Sequence, residues 1–364
     1  MNNRKIRHSS ICVFVVLILF FSVADIFALD LFKEKKSYVI ALPVVFYKPE
    51  TKFAAGLAGV YVVESKNKNR ERHSSYETKL LYTQRKQIIC EFYPDIWLGD
   101  YHLDISLLFS KYPYLFYGIG NQTLPENEED YVSRIFQGRI DFQRTVYKAF
   151  ALGFVADIDV QKFLETEKGG FLDRKVVNGY NGGTVSGLGF SLNWDGRDNN
   201  LSCMQGQYAL LSMVFYNRQL GSDYTYQQCT LDARHFQTVF KNHVLAFQCM
   251  LSFISGDPPF YRLSLLGGDD IMRGYLQGQY RDRHLIAVQA EYRLPLFWRF
   301  GLVGFCSAGE VAPGFKSFQA NQIKYAAGFG VRFALQPKKR LKVGVDAAFA
   351  EGGMEYYLAA SEAF

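Results

Sequence analysis

The chain has 364 residues, a net charge of +6 and an aromatic content of 16 %, with 32 Phe, 24 Tyr and 31 Gly against 10 Pro. The charge is too mild for a nucleic-acid binder, and beyond the N-terminus no segment approaches the roughly 18 uninterrupted apolar residues of a membrane helix. After the first 28 residues the cysteines are Cys90, Cys203, Cys229, Cys249 and Cys306, an odd, widely spaced set that fits neither a disulfide framework nor a zinc site.

Residues 1–10 carry Arg4, Lys5 and Arg7, and residues 11–23 are almost wholly apolar. Small-residue exits follow at Ala24 and Ala28. This is the layout of a secretory signal peptide. The sequence therefore predicts a signal over residues 1–28, cleaved after 24 or 28, a short segment over 29–37, and a single β-domain over 38–364.

From residue 38 onward, apolar and polar residues alternate between turn signals. In residues 341–350, Leu341, Val343, Val345, Ala347 and Phe349 share one face, and Lys342, Gly344, Asp346 and Ala348 the other. Residues 323–333, 242–254 and 149–160 repeat the pattern. A period of two places each set on one face of a sheet. Most segments run 10 to 13 residues, against the roughly 9–11 that cross a bilayer. Together with the secretion signal and the aromatic richness, this predicts an all-β fold, a 16-stranded antiparallel transmembrane β-barrel. The strands fall near 38–46, 53–64, 74–84, 87–97, 101–110, 132–144, 149–162, 184–194, 206–217, 225–237, 242–254, 285–295, 299–311, 321–333, 340–350 and 355–364. Long connections near 111–131, 163–183 and 255–284 share one end of the barrel.

The longest connection, between the eleventh and twelfth strands, contains Leu266-Gly267-Gly268-Asp269-Asp270-Ile271-Met272-Arg273-Gly274-Tyr275. Its glycines free the backbone to fold back on itself. Arg273 brings five donors in a rigid fork and, once buried, needs a carboxylate. Alternation along 285–295 points Gln289, Glu291 and Arg293 inward, so Glu291 is the natural partner. Asp195, Arg197 and Asp198, in Asn193-Trp194-Asp195-Gly196-Arg197-Asp198-Asn199, read as a strand-end turn whose Asp and Asn bond their own backbone.

These residues carry a resemblance to the BamA/TamA-type outer-membrane assembly and translocation superfamily, also called the bacterial surface antigen family. Met272-Arg273-Gly274-Tyr275 resembles the family's Val-Arg-Gly-Phe/Tyr loop tip, and Glu291-Tyr292-Arg293-Leu294-Pro295 its strand motif. Phe305-Cys306-Ser307-Ala308-Gly309-Glu310-Val311 resembles Phe-x-Asp-x-Gly-x-Val, with Ser307 where the aspartate stands and Gly309 in register. The resemblance implies a loop folded into the lumen, with Met272, Arg273, Gly274 and Tyr275 at its tip and Glu291, Ser307 and Gly309 as wall partners. A last strand running to Phe364 resembles the closing strand of bacterial outer-membrane proteins, with Glu362 as a departure from the apolar residue usual there. The chain is thereby expected in the bacterial outer membrane, as a monomeric barrel without appended periplasmic domains. Its implied role is insertion or translocation of outer-membrane proteins or lipid. Its implied partners are outer-membrane lipid and protein clients or assembly-machine components. The alternative reading is a channel or structural surface barrel that kept the fold without that role. No catalytic set, cofactor motif or metal spacing stands out, so no enzymatic activity is expected.

Overall fold

A computed structural model describes residues 37–48, 52–63, 72–336, 340–360, 362 and 364. The signal segment 1–28 lies outside these residues. Strands β1 (Ser37–Lys48), β2 (Lys52–Val63), β3 (Ser74–Thr83), β4 (Ile88–Leu98), β5 (Tyr101–Phe116), β6 (Glu129–Tyr147), β7 (Phe150–Thr166) and β8 (Gly182–Asp195) form the first half of one sheet. Strands β9 (Gly206–Tyr216), β10 (Tyr226–Val239) and β11 (His243–Gly256) continue it. The longest connection then carries a short hairpin of β12 (Ser264–Leu266) and β13 (Tyr280–Asp282). The sheet resumes with β14 (His284–Pro295), β15 (Phe300–Ala312), β16 (Lys324–Gln336), β17 (Leu341–Ala350) and β18 (Gly353–Ala360). The sixteen sheet strands pair antiparallel in sequence order from β1 to β18, as a meander barrel requires.

The alternation read from the sequence is the inside–outside pattern of this wall. On β7, Phe154, Ile158 and Val160 are exposed outward, whereas Val155, Asp157, Asp159 and Gln161 are buried inward. A lipid-facing band one side chain deep suffices, because the ladder already pairs the backbone. The connections after odd-numbered strands up to β11, and after β15 and β17, make one end, here the loop end. The opposite, turn end carries exposed Phe240, Phe297 and Trp298, aromatic side chains among which Trp298 is an amphipathic anchor of the kind that rings a membrane interface.

The closing strand departs from the reading of 355–364. β18 starts earlier, at Gly353, and ends at Ala360. Glu362 and Phe364 lie off the ladder at the turn end. There the Glu362 carboxylate meets three cations on the inside of the wall, Arg293, Arg332 and Lys342, a pairing that a place on the ladder's apolar face would not allow.

Candidate functional site

The connection between β11 and β14 turns back into the lumen. Gly267 (φ 102°) and Gly274 (φ 111°) supply left-handed backbone where the tip reverses. A Cβ at Gly267 would stand 2.7 Å from the Tyr275 carbonyl oxygen, so the two sides of the tip can approach only at a glycine. Met272 shares the left-handed region (φ 61°) and is held there by complete burial. Leu266, Ile271, Met272 and Tyr275 pack on Leu285, Ala287, Val311 and Ala326 of the wall. The Tyr275 hydroxyl donates to the Tyr325 carbonyl at 3.0 Å, and the Gly274 amide donates to the Tyr357 hydroxyl at 2.9 Å. Gln289 Nε2 donates to the Asp270 carbonyl at 2.8 Å.

Arg273 lies 1 % exposed at the centre of this contact. Its Nη2 is 2.7 Å from Glu291 Oε2 and its Nη1 is 2.5 Å from Asp346 Oδ2 on β17. Its guanidinium also lies 3.6 Å from the centroid of the Phe305 ring. The tip is thus bonded to two carboxylates on strands that flank β15 and β16, and these are charge-assisted bonds in a water-poor interior.

The two acids are shared. Arg293 Nε is 2.8 Å from Glu291 Oε1. Arg332 bonds both oxygens of Asp346, with Nη2 3.1 Å from Oδ2. Space for this pair is carved by glycines: a Cβ at Gly330 would stand 1.9 Å from Asp346 Oδ1, and one at Gly344 would stand 2.6 Å from Arg332 Nη1. The next link is Glu362, whose side chain is 2 % exposed. It accepts from Arg332 Nε at 3.1 Å and from Lys342 Nζ at 2.5 Å. The result is a continuous relay of alternating charge from the loop tip to the tail.

The predicted wall partners divide. The structure brings Glu291 to Arg273. It does not bring Ser307 there: among the described residues the buried Ser307 hydroxyl has no hydrogen-bond partner, so the wall bond expected of it is corrected. Gly309 is not a partner of Arg273 either. It presses on Ala287, 3.0 Å from where its Cβ would be, and is a packing position in β15. Asp346 is the acid that sequence reasoning missed as a partner. It shares the polar face of its strand with Lys342, and Gly344-Val345-Asp346 beside Gly330-Val331-Arg332 on the adjacent strand is the available signal.

In the Asp195–Asn199 turn the Arg197 amide donates to Asp195 Oδ1 at 3.2 Å and the Leu201 amide to Asn199 Oδ1 at 2.8 Å, and the turn reaches further than its own backbone. Asp195 pairs with Arg197 at 3.0 Å and with Arg72 at 2.9 Å. Asp198 accepts from the Met204 amide at 3.0 Å and pairs with Arg340. Arg72 and Arg340 approach from the β2–β3 and β16–β17 connections, so this turn is tied across the turn end of the lumen.

At the loop end the lumen is covered by a different device. Phe116, Tyr131, Leu172, Phe260 and Leu263 form an apolar cluster beneath three connections, with Phe163, Phe171 and Tyr261 against it. Arg262 beneath them bonds Asp157 at 3.1 Å and the Tyr216 hydroxyl at 2.9 Å. As for metals, among the described residues Asp95, His102 and Asp104 bring ligand atoms within 4.8 Å of one another. His102 Nε2 is already engaged by Asp95 Oδ1 at 3.1 Å.

A sixteen-stranded antiparallel barrel whose longest loop is ion-paired inside its own lumen defines the class: an outer-membrane-type β-barrel with a resident loop. The chain belongs to the Omp85 superfamily, whose domain model matches residues 99–342. Among solved structures it is similar to BamA from Haemophilus ducreyi lacking POTRA domains 1–3, with a TM-score of 0.56 and 13 % identity. That match covers 90 % of this chain and 70 % of that one. It is similar also to CdiB from Acinetobacter baumannii (TM-score 0.55, 9 % identity, 90 % of this chain and 60 % of that one). CdiB from Escherichia coli gives a TM-score of 0.54 at 9 % identity, over 89 % of this chain and 60 % of that one. At these identities the likeness concerns the fold. No curated protein matches the chain.

Proposed function

We propose that this barrel inserts or translocates outer-membrane proteins or lipid, working at its wall rather than through an open pore. The observation that carries the reading is the lumenal loop. Arg273 is bonded to two buried carboxylates, and the aromatic lid and the tied turn cover the lumen above and below it. A standing channel would need a loop that leaves readily, whereas removing one partner of a buried charge pair costs about 3–5 kcal/mol. The superfamily assignment points the same way. In this reading Met272, Arg273, Gly274 and Tyr275 are the anchor of a plug, with Glu291 and Asp346 as its wall partners. The loop end faces the outside and the turn end the periplasm. The sheet order begins at β1 and ends at β18, so the seam available to a client or to lipid lies between them.

The test is reconstitution of the full chain in liposomes of outer-membrane lipid. Unfolded client barrel is added and its folding followed by gel mobility, against empty liposomes. Faster client folding or faster lipid exchange supports the reading. Equal rates for both, with steady ion conductance from the unmodified chain, would establish the channel reading instead. Deleting residues 266–276 should raise conductance sharply; unchanged conductance would sink the plug.

A further inference from the structure

The turn end holds a seat that is occupied by the chain itself. Phe364 packs with Phe236, Ala246 and Cys203 in one buried cluster. The Arg293 guanidinium lies 5.5 Å from the Phe364 ring centroid and 5.6 Å from that of Phe236. Arg293 Nη2 donates to the main-chain oxygen of Phe364 at 2.8 Å. Two residues earlier, Glu362 meets Arg332 and Lys342, with Arg293 at 3.9 Å. Cations from β14, β16 and β17 therefore converge on a carboxylate that none of those strands supplies.

We propose that this seat is a binding site for a peptide segment with a carboxylate two residues before an aromatic side chain. Glu362 and Phe364 hold it in cis, and its occupancy fixes the lumenal loop. The coupling follows from charge. With the tail seated, Arg273, Arg293, Arg332 and Lys342 face Glu291, Asp346 and Glu362. With the tail gone, the same four cations share two acids. Arg293 and Arg332 already bond the oxygens of Glu291 and Asp346, and without Glu362 they compete with Arg273 for them. Emptying the seat therefore loosens the loop from below. The coupling half of the proposal rests on the plug reading; the seat half does not.

Cys203, buried under Phe364, is a native reporter. In the full chain with Cys12, Cys90, Cys229, Cys249 and Cys306 replaced by Ala, the rate of modification by a charged methanethiosulfonate is measured in liposomes. Glu362→Gln, which loses charge-assisted bonding, and Phe364→Ala, which uncovers the Cys203 cluster, each checked for folding by gel mobility, should speed Cys203 modification by about tenfold to a hundredfold. Glu362→Asp should stay near the parent rate. A synthetic peptide with the sequence of residues 355–364 should slow the variants again, and the same peptide with Gln for Glu362 should not. A second reporter, Met272→Cys in a chain lacking Cys203, should be modified faster in Glu362→Gln. Unchanged Cys203 rates in both variants, or no effect of the peptide, overturn the seat. Faster Cys203 with unchanged Met272→Cys overturns the coupling alone. Arg273→Ala, read on the Met272→Cys reporter, tests the plug separately.

Discussion

The cluster at the loop end and the relay in the lumen both tie loops to the wall, and they are built from opposite materials. The lid is aromatic. Phe116 and Phe260 lie 4.7 Å apart by ring centroids, and Tyr131 and Phe163 pack on Phe260. Such packing is cohesive and tolerant of small shifts, because burial is roughly proportional to area and has no direction. The relay is ionic. Each of its members is bonded to the next, and a shift at one is felt by its neighbours. The difference teaches where the barrel can be tuned. Losses in the lid should stay local, whereas losses in the relay should spread from the loop to the tail.

The largest effect should come from Arg273→Ala, which takes the shared cation from Glu291 and Asp346 at once. It should destabilise the barrel by about 3–5 kcal/mol, read as a lower denaturant midpoint and a lower temperature for loss of compact gel mobility. Next is Phe260→Ala in the lid, at about 3 kcal/mol for the cavity left by a fully buried ring. Its loss should add to that of Arg273→Ala, since the two sites share no partner. A large departure from additivity would erase the contrast drawn here. Glu291→Ala and Arg273→Ala together should fall short of their summed losses by roughly 0.5–3 kcal/mol, as expected of one bonded unit. Strictly additive losses would refute the pairing. The smallest effect should be Ser307→Ala. It removes a hydroxyl that has no partner, so stability should move by no more than about 0.5 kcal/mol in either direction. A loss well above that would mean Ser307 holds the loop after all.

Most of the wall was legible in the sequence, because the inside–outside alternation is a local signal with a period of two. The sixteen sheet strands fall where that signal puts them. β5 and β6 run further toward the loop end than read, to Phe116 and from Glu129. Lys111 and Pro113 disguised the extension, yet both take paired positions opposite Arg134 and Val132. The β12–β13 hairpin was too short to show any period. Within the site, Arg273 and Glu291 could be joined because Glu291 lies on the next wall strand. Asp346 could not: it pairs with Arg273 across 73 positions of sequence, and alternation fixes which face a residue takes but not what lies across the lumen. Glu362 stood out only as a departure from the apolar pattern. Its partners, Arg332 and Lys342, lie on β16 and β17, and a period of two does not say which inward side chains meet across the lumen.

The order of the relay along the chain has a consequence for how the barrel is completed. Arg273 and Glu291 belong to adjacent stretches and can meet as soon as β14 stands beside β11. Asp346 enters only with β17, and Glu362 and Phe364 after β18. A barrel lacking its last two strands therefore has a half-bonded loop and cations without their acids. Full bonding of the loop tip requires the β17–β18 hairpin, so the same contacts that hold the tip also report that this hairpin is in place.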